Sequence, residues 1–201
     1  MIKEKQGFGD NAVATMATNV ADQELVGIHG YYHVECRDKD GNLKWQDEFP
    51  NLVNAVGKEL LLDTLLGGSA YTVTGPFLGL VDGASPTFAA ADTMVSHAGW
   101  IEFANYTVGG SAIRGTAVFA AATSSGTTPA NITAAAATPI VYLITGAGGT
   151  IGGCFLTLGS GASSTINNTS GTLYSAGAFG TAKITTAGDT VSVTYSTTAT
   201  S

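Results

Sequence analysis

The sequence predicts a mainly β protein: an antiparallel, β-sandwich or jelly-roll-like domain with one amphipathic helix at about 51–66 and an extended N-terminal arm. Short apolar or alternating runs recur between turns rich in Gly, Ser and Asn, the pattern of an antiparallel sandwich. Bulky aromatic side chains are few (Trp 2, Phe 8, Tyr 7 in 201 residues), so the core must be thin, which suits sheets packed face to face. The length suffices to bury a real core. The expected organisation is an arm over residues 1–25 and a single β-rich domain over 26–201.

Residues 1–25 mix charges and small residues with loosely spaced apolar side chains at Phe8, Val13, Met16 and Val20. Such a segment builds no core alone, and these four residues are the candidate interface with a neighbouring subunit. From Ile28 the pattern turns period-two. Ile28, Gly30, Tyr32, Val34 and Cys36 fall on one face, and His29, Tyr31, His33, Glu35 and Arg37 on the other, as in a half-exposed strand. Asp38-Lys39-Asp40-Gly41-Asn42 supplies turn chemistry, because Asp-Gly tolerates the positive φ of a tight hairpin. Alternation resumes from Leu43 to Phe49, and Pro50-Asn51 is expected to close the hairpin.

Leu52 to Leu66 then places apolar residues three and four apart, before Gly67-Gly68. Asn51 or Asn54 is the expected cap, Gly67 the expected stop, and Val53, Val56, Leu60 and Leu61 the face laid on a sheet. Further strands are expected at Phe77–Val81, Trp100–Phe103, Ile113–Phe119, Ile140–Ile144, Ile151–Leu158 and Thr190–Tyr195.

Charge narrows the function classes. Only 11% of residues are Asp, Glu, Lys or Arg, against about a quarter in a typical soluble domain. From Thr64 to Ser201 the ionic residues are Asp82, Asp92, Glu102, Arg114, Lys183 and Asp189 alone. Much of the surface is therefore expected to face other protein, with Thr and Ala on outward strand faces letting subunits approach closely. The net charge of −7 argues against nucleic acid, whose binding rests on Lys and Arg displacing counterions. No run of bulky apolar residues reaches the ~18 that span a bilayer, and the first residues are charged, so cytosolic synthesis without membrane insertion is expected. Cys36 and Cys154 sit in strand contexts and are expected as buried thiols.

The motifs that suggest chemistry fail on context, and no cofactor or metal is expected. Thr145-Gly146-Ala147-Gly148-Gly149-Thr150-Ile151-Gly152 mimics a dinucleotide loop, but a strand rather than a helix follows it, so a glycine-rich hairpin turn is expected. Asp38-x-Asp40-x-Asn42 begins like a calcium loop, yet Leu43 and Phe49 stand where Gly and Glu are needed. His29 and His33 are ~13 Å apart along a strand, too far to share one ion. Asp92 and His97, with Thr93 and Ser96, hold triad-type groups, but only geometry with an oxyanion site makes a triad. An enzyme would need Asp92, His97 and Glu102 gathered in one cleft; none is expected. A carbohydrate-binding sandwich would instead need Tyr31, Trp45, Trp100 and Tyr106 as exposed stacking platforms.

Three blocks resemble a group of small virion structural proteins of tailed bacteriophages. They are Gly30-Tyr31-Tyr32-His33-Val34-Glu35-Cys36 with Lys44-Trp45-Gln46-Asp47-Glu48 and Pro50-Asn51-Leu52-Val53; Ala91 through Glu102; and Cys154-Phe155-Leu156 through Thr165 to Gly177. The resemblance covers roughly residues 28 to 196. It implies a virion component made in the host cytoplasm, whose partners are further copies of itself and the major capsid protein or other virion proteins. Capsid decoration, or cement, is favoured over a tail, collar or fibre-linked protein that would form an oligomer such as a trimer. The chain is short and has neither a heptad stalk nor a receptor-binding tip.

Overall fold

A computed structural model describes residues 27–66, 74–125 and 131–200. The arm with Phe8, Val13, Met16 and Val20 lies outside the described residues, as does the expected helix stop at Gly67. In chain order the elements are β1 (Gly27–Arg37), β2 (Leu43–Val53), α1 (Ala55–Leu66), β3 (Phe77–Asp82), β4 (Ile101–Glu102), β5 (Tyr106–Thr107) and β6 (Gly115–Thr116). They continue with β7 (Thr123–Ser125), β8 (Asn131–Ala135), β9 (Ile140–Ile144), β10 (Gly149–Leu158), β11 (Thr172–Thr185) and β12 (Thr190–Thr200). Among the described residues the chain is thus mainly β with one short helix, and the strands form one antiparallel, curled sheet in the order β4-β3-β10-β11-β2-β1-β12-β8-β7. Beyond that path β9 joins β12 and β5, and β6 joins β3.

The curl makes two layers. Along most of its length β2 pairs with β1, while its last residues, Leu52 and Val53, pair with Ala176 and Ser175 of β11. A front layer of β2, β1, β12 and β9 thereby faces a back layer of β11, β10 and β3. Tyr32, Val34 and Cys36 of β1 and Val191, Val193 and Tyr195 of β12 meet Leu78 and Leu80 of β3 and Cys154 and Leu156 of β10 in one core. These residues are buried because alternate positions of each strand point to one face.

The two layers differ on their outer sides. The outward residues of the back layer, Val81, Phe155, Leu173 and Ala176, are covered by Met94 and Trp100 from the 83–100 loop. Being buried on both faces, β10 reads as a continuous buried run rather than an alternation. The front layer keeps an open outer face, so β1 alternates buried and exposed as its sequence predicts.

The hairpin forms as expected. Asp38 Oδ1 accepts from the backbone N–H of Asp40 and Asn42, both at 2.9 Å, and Gly41 takes φ +86°. Three expectations need correction. Pro50-Asn51 does not close the hairpin: β2 continues to Val53, with Pro50 opposite Tyr31, and the helix starts only at Ala55. The expected strand at Ile113–Phe119 shrinks to β6, flanked by isolated bridges at Ile113 and Phe119. The glycine-rich segment after β9 does turn, with Gly146 at φ +59° and Gly148 at +74°, but it makes no hairpin. β9 pairs with β12 and β5, whereas β10 pairs with β11 and β3, so this turn carries the chain from front layer to back.

Asn54 occupies the cap position in an unexpected way. Its carbonyl accepts from the N–H of Gly57 and Lys58 at 3.0 and 3.1 Å, but its side-chain amide donates to the carbonyls of Ala89 and Asp92. The cap residue thus ties the helix start to the 83–100 loop. Val53, expected on the helix, is buried in β2, while Val56, Leu60 and Leu61 are half-buried. Close packing on β11 falls to Gly57, where a Cβ would lie 2.5 Å from the Tyr174 carbonyl oxygen.

Candidate functional site

The most organised polar cluster grows from two buried charges. Glu102 in β4 and Arg114, just before β6, form a two-pronged ion pair: Nε to Oε1 at 2.8 Å and Nη2 to Oε2 at 2.7 Å. Their side chains are 1% and 4% exposed for Arg114 and Glu102 respectively. Glu102 also accepts from Tyr106 Oη at 3.3 Å and from the Asn167 N–H at 2.6 Å. Burial, and then the Glu102 charge, push the Tyr106 phenol far above its ordinary value.

Arg114 spends its remaining contacts on the loop between β10 and β11. Nη1 donates to the Ser163 carbonyl at 3.0 Å, Nη2 to the Asn168 carbonyl at 2.7 Å, and its backbone N–H to Ser164 at 2.7 Å. The guanidinium also lies 5.1 Å from the centre of the Phe155 ring. An arginine suits this task because its fixed fork can satisfy a carboxylate and carbonyls at once. Asn167, at the tip, holds φ +62°, a left-handed conformation unusual outside glycine.

Asp92 and His97, the acid and imidazole of the triad-like segment, converge on Trp100 instead of on each other. Asp92 Oδ2 accepts from Trp100 Nε1 at 3.1 Å and from the Ala89 N–H at 3.0 Å. The His97 ring stacks on the indole at 3.9 Å, with Nδ1 3.0 Å from the Trp100 carbonyl. A carbonyl only accepts, so Nδ1 is the donor in this contact. Asp92 and His97 are thus tied to Trp100, and Glu102 to Arg114.

A cavity of about 120 Å³ lies between the Trp100 segment and the Arg114-held loop. Met94, Trp100, Ile101 and Phe155 give its apolar lining, and His97, Asn167 and Thr169 contribute polar groups. Sequence reasoning weighed His97 and Glu102 but missed Arg114 and Asn167. One signal was available: Glu102 and Arg114 are the sole ionic residues between Asp92 and Lys183, and their signs are opposite.

The remaining candidates are spread over the molecule. His29 and His33 are exposed on β1, and His33 Nδ1 contacts Glu48 at 2.8 Å. Cys36 and Cys154 are buried free thiols, and burial followed by the Asp189 charge pushes Cys36 up to about 12. Of the aromatic platforms, Tyr31 is 53% exposed, while Trp100 and Tyr106 are buried and Trp45 is half-buried against Phe179. Burial removes Trp100 and Tyr106 as stacking surfaces. Among the described residues no group of three or more His, Cys, Asp or Glu is placed to hold a metal ion, and no helix is long and apolar enough to cross a membrane.

No family model, curated protein or solved structure matches the chain. Its fold and site define a small antiparallel β protein with one covered sheet face, one open sheet face and a loop pinned by a buried ion pair.

Proposed function

We propose that the protein is a structural component of a bacteriophage virion, a capsid decoration or cement protein that stabilises the particle by contact and not by catalysis. The observation that carries this reading is the open outer face of the front layer. Val141 and Leu143 on β9 are 49% and 45% exposed, and they lie opposite Ser192 and Thr190 of β12. The outward positions of β12 continue through Thr194, Ser196 and Thr198, all hydroxyls. Charge on this face begins only at β1, with Glu35 opposite Ser192 and Arg37 opposite Thr190.

An apolar and hydroxyl strip can be covered by protein without stripping water from charges, which is the costly part of burying a polar surface. Small contacts of this kind gain weight when repeated over many copies. The resemblance of the three sequence blocks to virion proteins supports the same reading, and the arm bearing Phe8, Val13, Met16 and Val20 supplies a further contact in it.

Quantitative mass spectrometry of purified particles tests the proposal, comparing wild type with the outward double variant Val141→Lys/Leu143→Lys. The expected result is wild-type protein at a copy number that scales with capsid subunits, and a variant that folds normally but occupies few sites. A copy number of only a few per particle would move the protein to the tail. Absence from particles, or full occupancy by the variant, would overturn the contact reading.

A further inference from the structure

We propose that the cavity between Trp100 and the Asn167-Asn168-Thr169 loop is a slot for the acetamido group of an N-acetylated sugar. This goes beyond the assembly reading and does not rest on it. Charge comes first. Glu102 and Arg114 both line the cavity, but they neutralise each other, and both carboxylate oxygens already accept hydrogen bonds from Arg114 and from Tyr106 or Asn167. The site therefore offers no net charge to an ionic ligand and suits a neutral one.

Size is the second constraint. An apolar cavity of about 150 Å³ holds one benzene, so about 120 Å³ takes a compact planar group and not a whole hexose. Chemistry is the third. Met94, Trp100 and Phe155 provide contacts for a methyl group. Asn167 and Thr169 are exposed, and neither side chain has a hydrogen-bond partner among the described residues. A methyl joined to an amide, with ring hydroxyls left outside at the rim, matches that division. Trp100 is 4% exposed, so it serves as a wall and not as a stacking platform.

Preorganisation is the fourth argument. A buried ion pair contributes little net stability compared with apolar residues of the same shape. Here the pair holds the loop by the carbonyls of Ser163 and Asn168 and by the N–H of Asn167. It thereby keeps the Asn167 backbone at φ +62°, a left-handed conformation uncommon outside glycine that asparagine tolerates. A loop backbone held in this way loses little entropy on binding.

The test is a nuclear magnetic resonance titration of the ¹⁵N-labelled full chain, whose two indole N–H signals separate Trp100 from the distant Trp45. N-acetylglucosamine is expected to shift the Trp100 indole and the Asn167 and Asn168 amides saturably in the millimolar range, leaving Trp45 unmoved. Glucose is expected to shift none of them. Asn167→Gly retains the left-handed backbone while removing the amide, and should weaken binding by about fivefold, the loss of one hydrogen bond. The proposal is overturned by equal responses to glucose and N-acetylglucosamine, or by no saturable shift at Trp100. Unchanged affinity in Asn167→Gly overturns it too, as does saturation by N-acetyl-lysine without any by the sugar.

Discussion

Tyr142 of β9 donates its phenolic hydrogen to the backbone carbonyl of Leu78 in β3, 2.8 Å away across the core. Both residues are fully buried, and burial raises the phenol well above its ordinary value, so the donor stays protonated. This bond joins the front layer to the back. Tyr142→Phe keeps the ring and removes this one bond, and is expected to cost about 0.5–1.5 kcal/mol in urea denaturation. An unchanged midpoint would mean that the bond between the layers adds nothing to stability.

The Glu102–Arg114 pair should behave asymmetrically. Arg114→Met alone strands a buried carboxylate and is expected to cost about 3–5 kcal/mol, whereas Glu102→Leu/Arg114→Met should recover most of that loss. Loop order should not recover with it. In the double variant the Asn167 and Asn168 amides are expected to exchange hydrogen faster than in wild type, because the groups that held the loop are gone. Equal exchange rates would show that the loop stands without the pair.

A second ion pair sets a pH window. Burial alone would raise the Asp189 carboxyl, but Lys44 Nζ at 2.5 Å and the Thr186 N–H at 2.8 Å outweigh it and hold it below the usual range. The hydrogen bond to Asp189 in turn raises Lys44. A depressed acid contributes stability above its unfolded value, about 3.9, and loses it as pH falls through its lower folded value. A raised lysine contributes fully below about 10.4 and loses that contribution as pH rises through its folded value. Asp189→Asn should therefore flatten the acid limb of a stability–pH profile below about pH 4, and a limb as steep as wild type would refute the assignment.

Gly57 and Gly180 should respond oppositely to alanine. Helix propensity alone favours Gly57→Ala by about 1 kcal/mol, yet its Cβ would sit 2.5 Å from the Tyr174 carbonyl oxygen and 2.9 Å from Tyr174 Cα. Backbone cannot swing away as a flexible side chain does, so the clash wins and the melting temperature should fall. At Gly180 a Cβ meets nothing within 4 Å. Gly180→Ala is expected to be neutral or to stabilise by about 0.4–1 kcal/mol, through the unfolded chain.

Local signals made the β1–β2 hairpin legible, since alternation and Asp40-Gly41 act over a few residues. β11 was not legible, although it is the longest strand described. Its middle reads Ala176-Gly177-Ala178, with little bulk to alternate, because neighbours press on it: a Cβ at Gly177 would lie 2.8 Å from the Pro50 carbonyl. The helix start was misplaced because Leu52 and Val53 suit a helix as well as a strand, and their pairing with β11 decides it. In the candidate site the sequence offered Asp92 and His97 as a triad-like segment but could not show that both contact Trp100. Arg114 gains its meaning only from Glu102 and a loop some fifty positions downstream, whose carbonyls carry no sequence signature.

β1 runs between β2 and β12, in unbroken register from Gly27 opposite Thr200 to Arg37 opposite Thr190. On a ribosome, the hairpin that forms first must wait until Thr190–Thr200 have been made before its second flank is covered. Until then Tyr32, Val34 and Phe49 stay open to water, and to any other nascent copy in reach. Such distant closure makes folding slow, so yield in a cell should depend on chaperone supply and growth temperature well before it depends on the stability of the finished molecule.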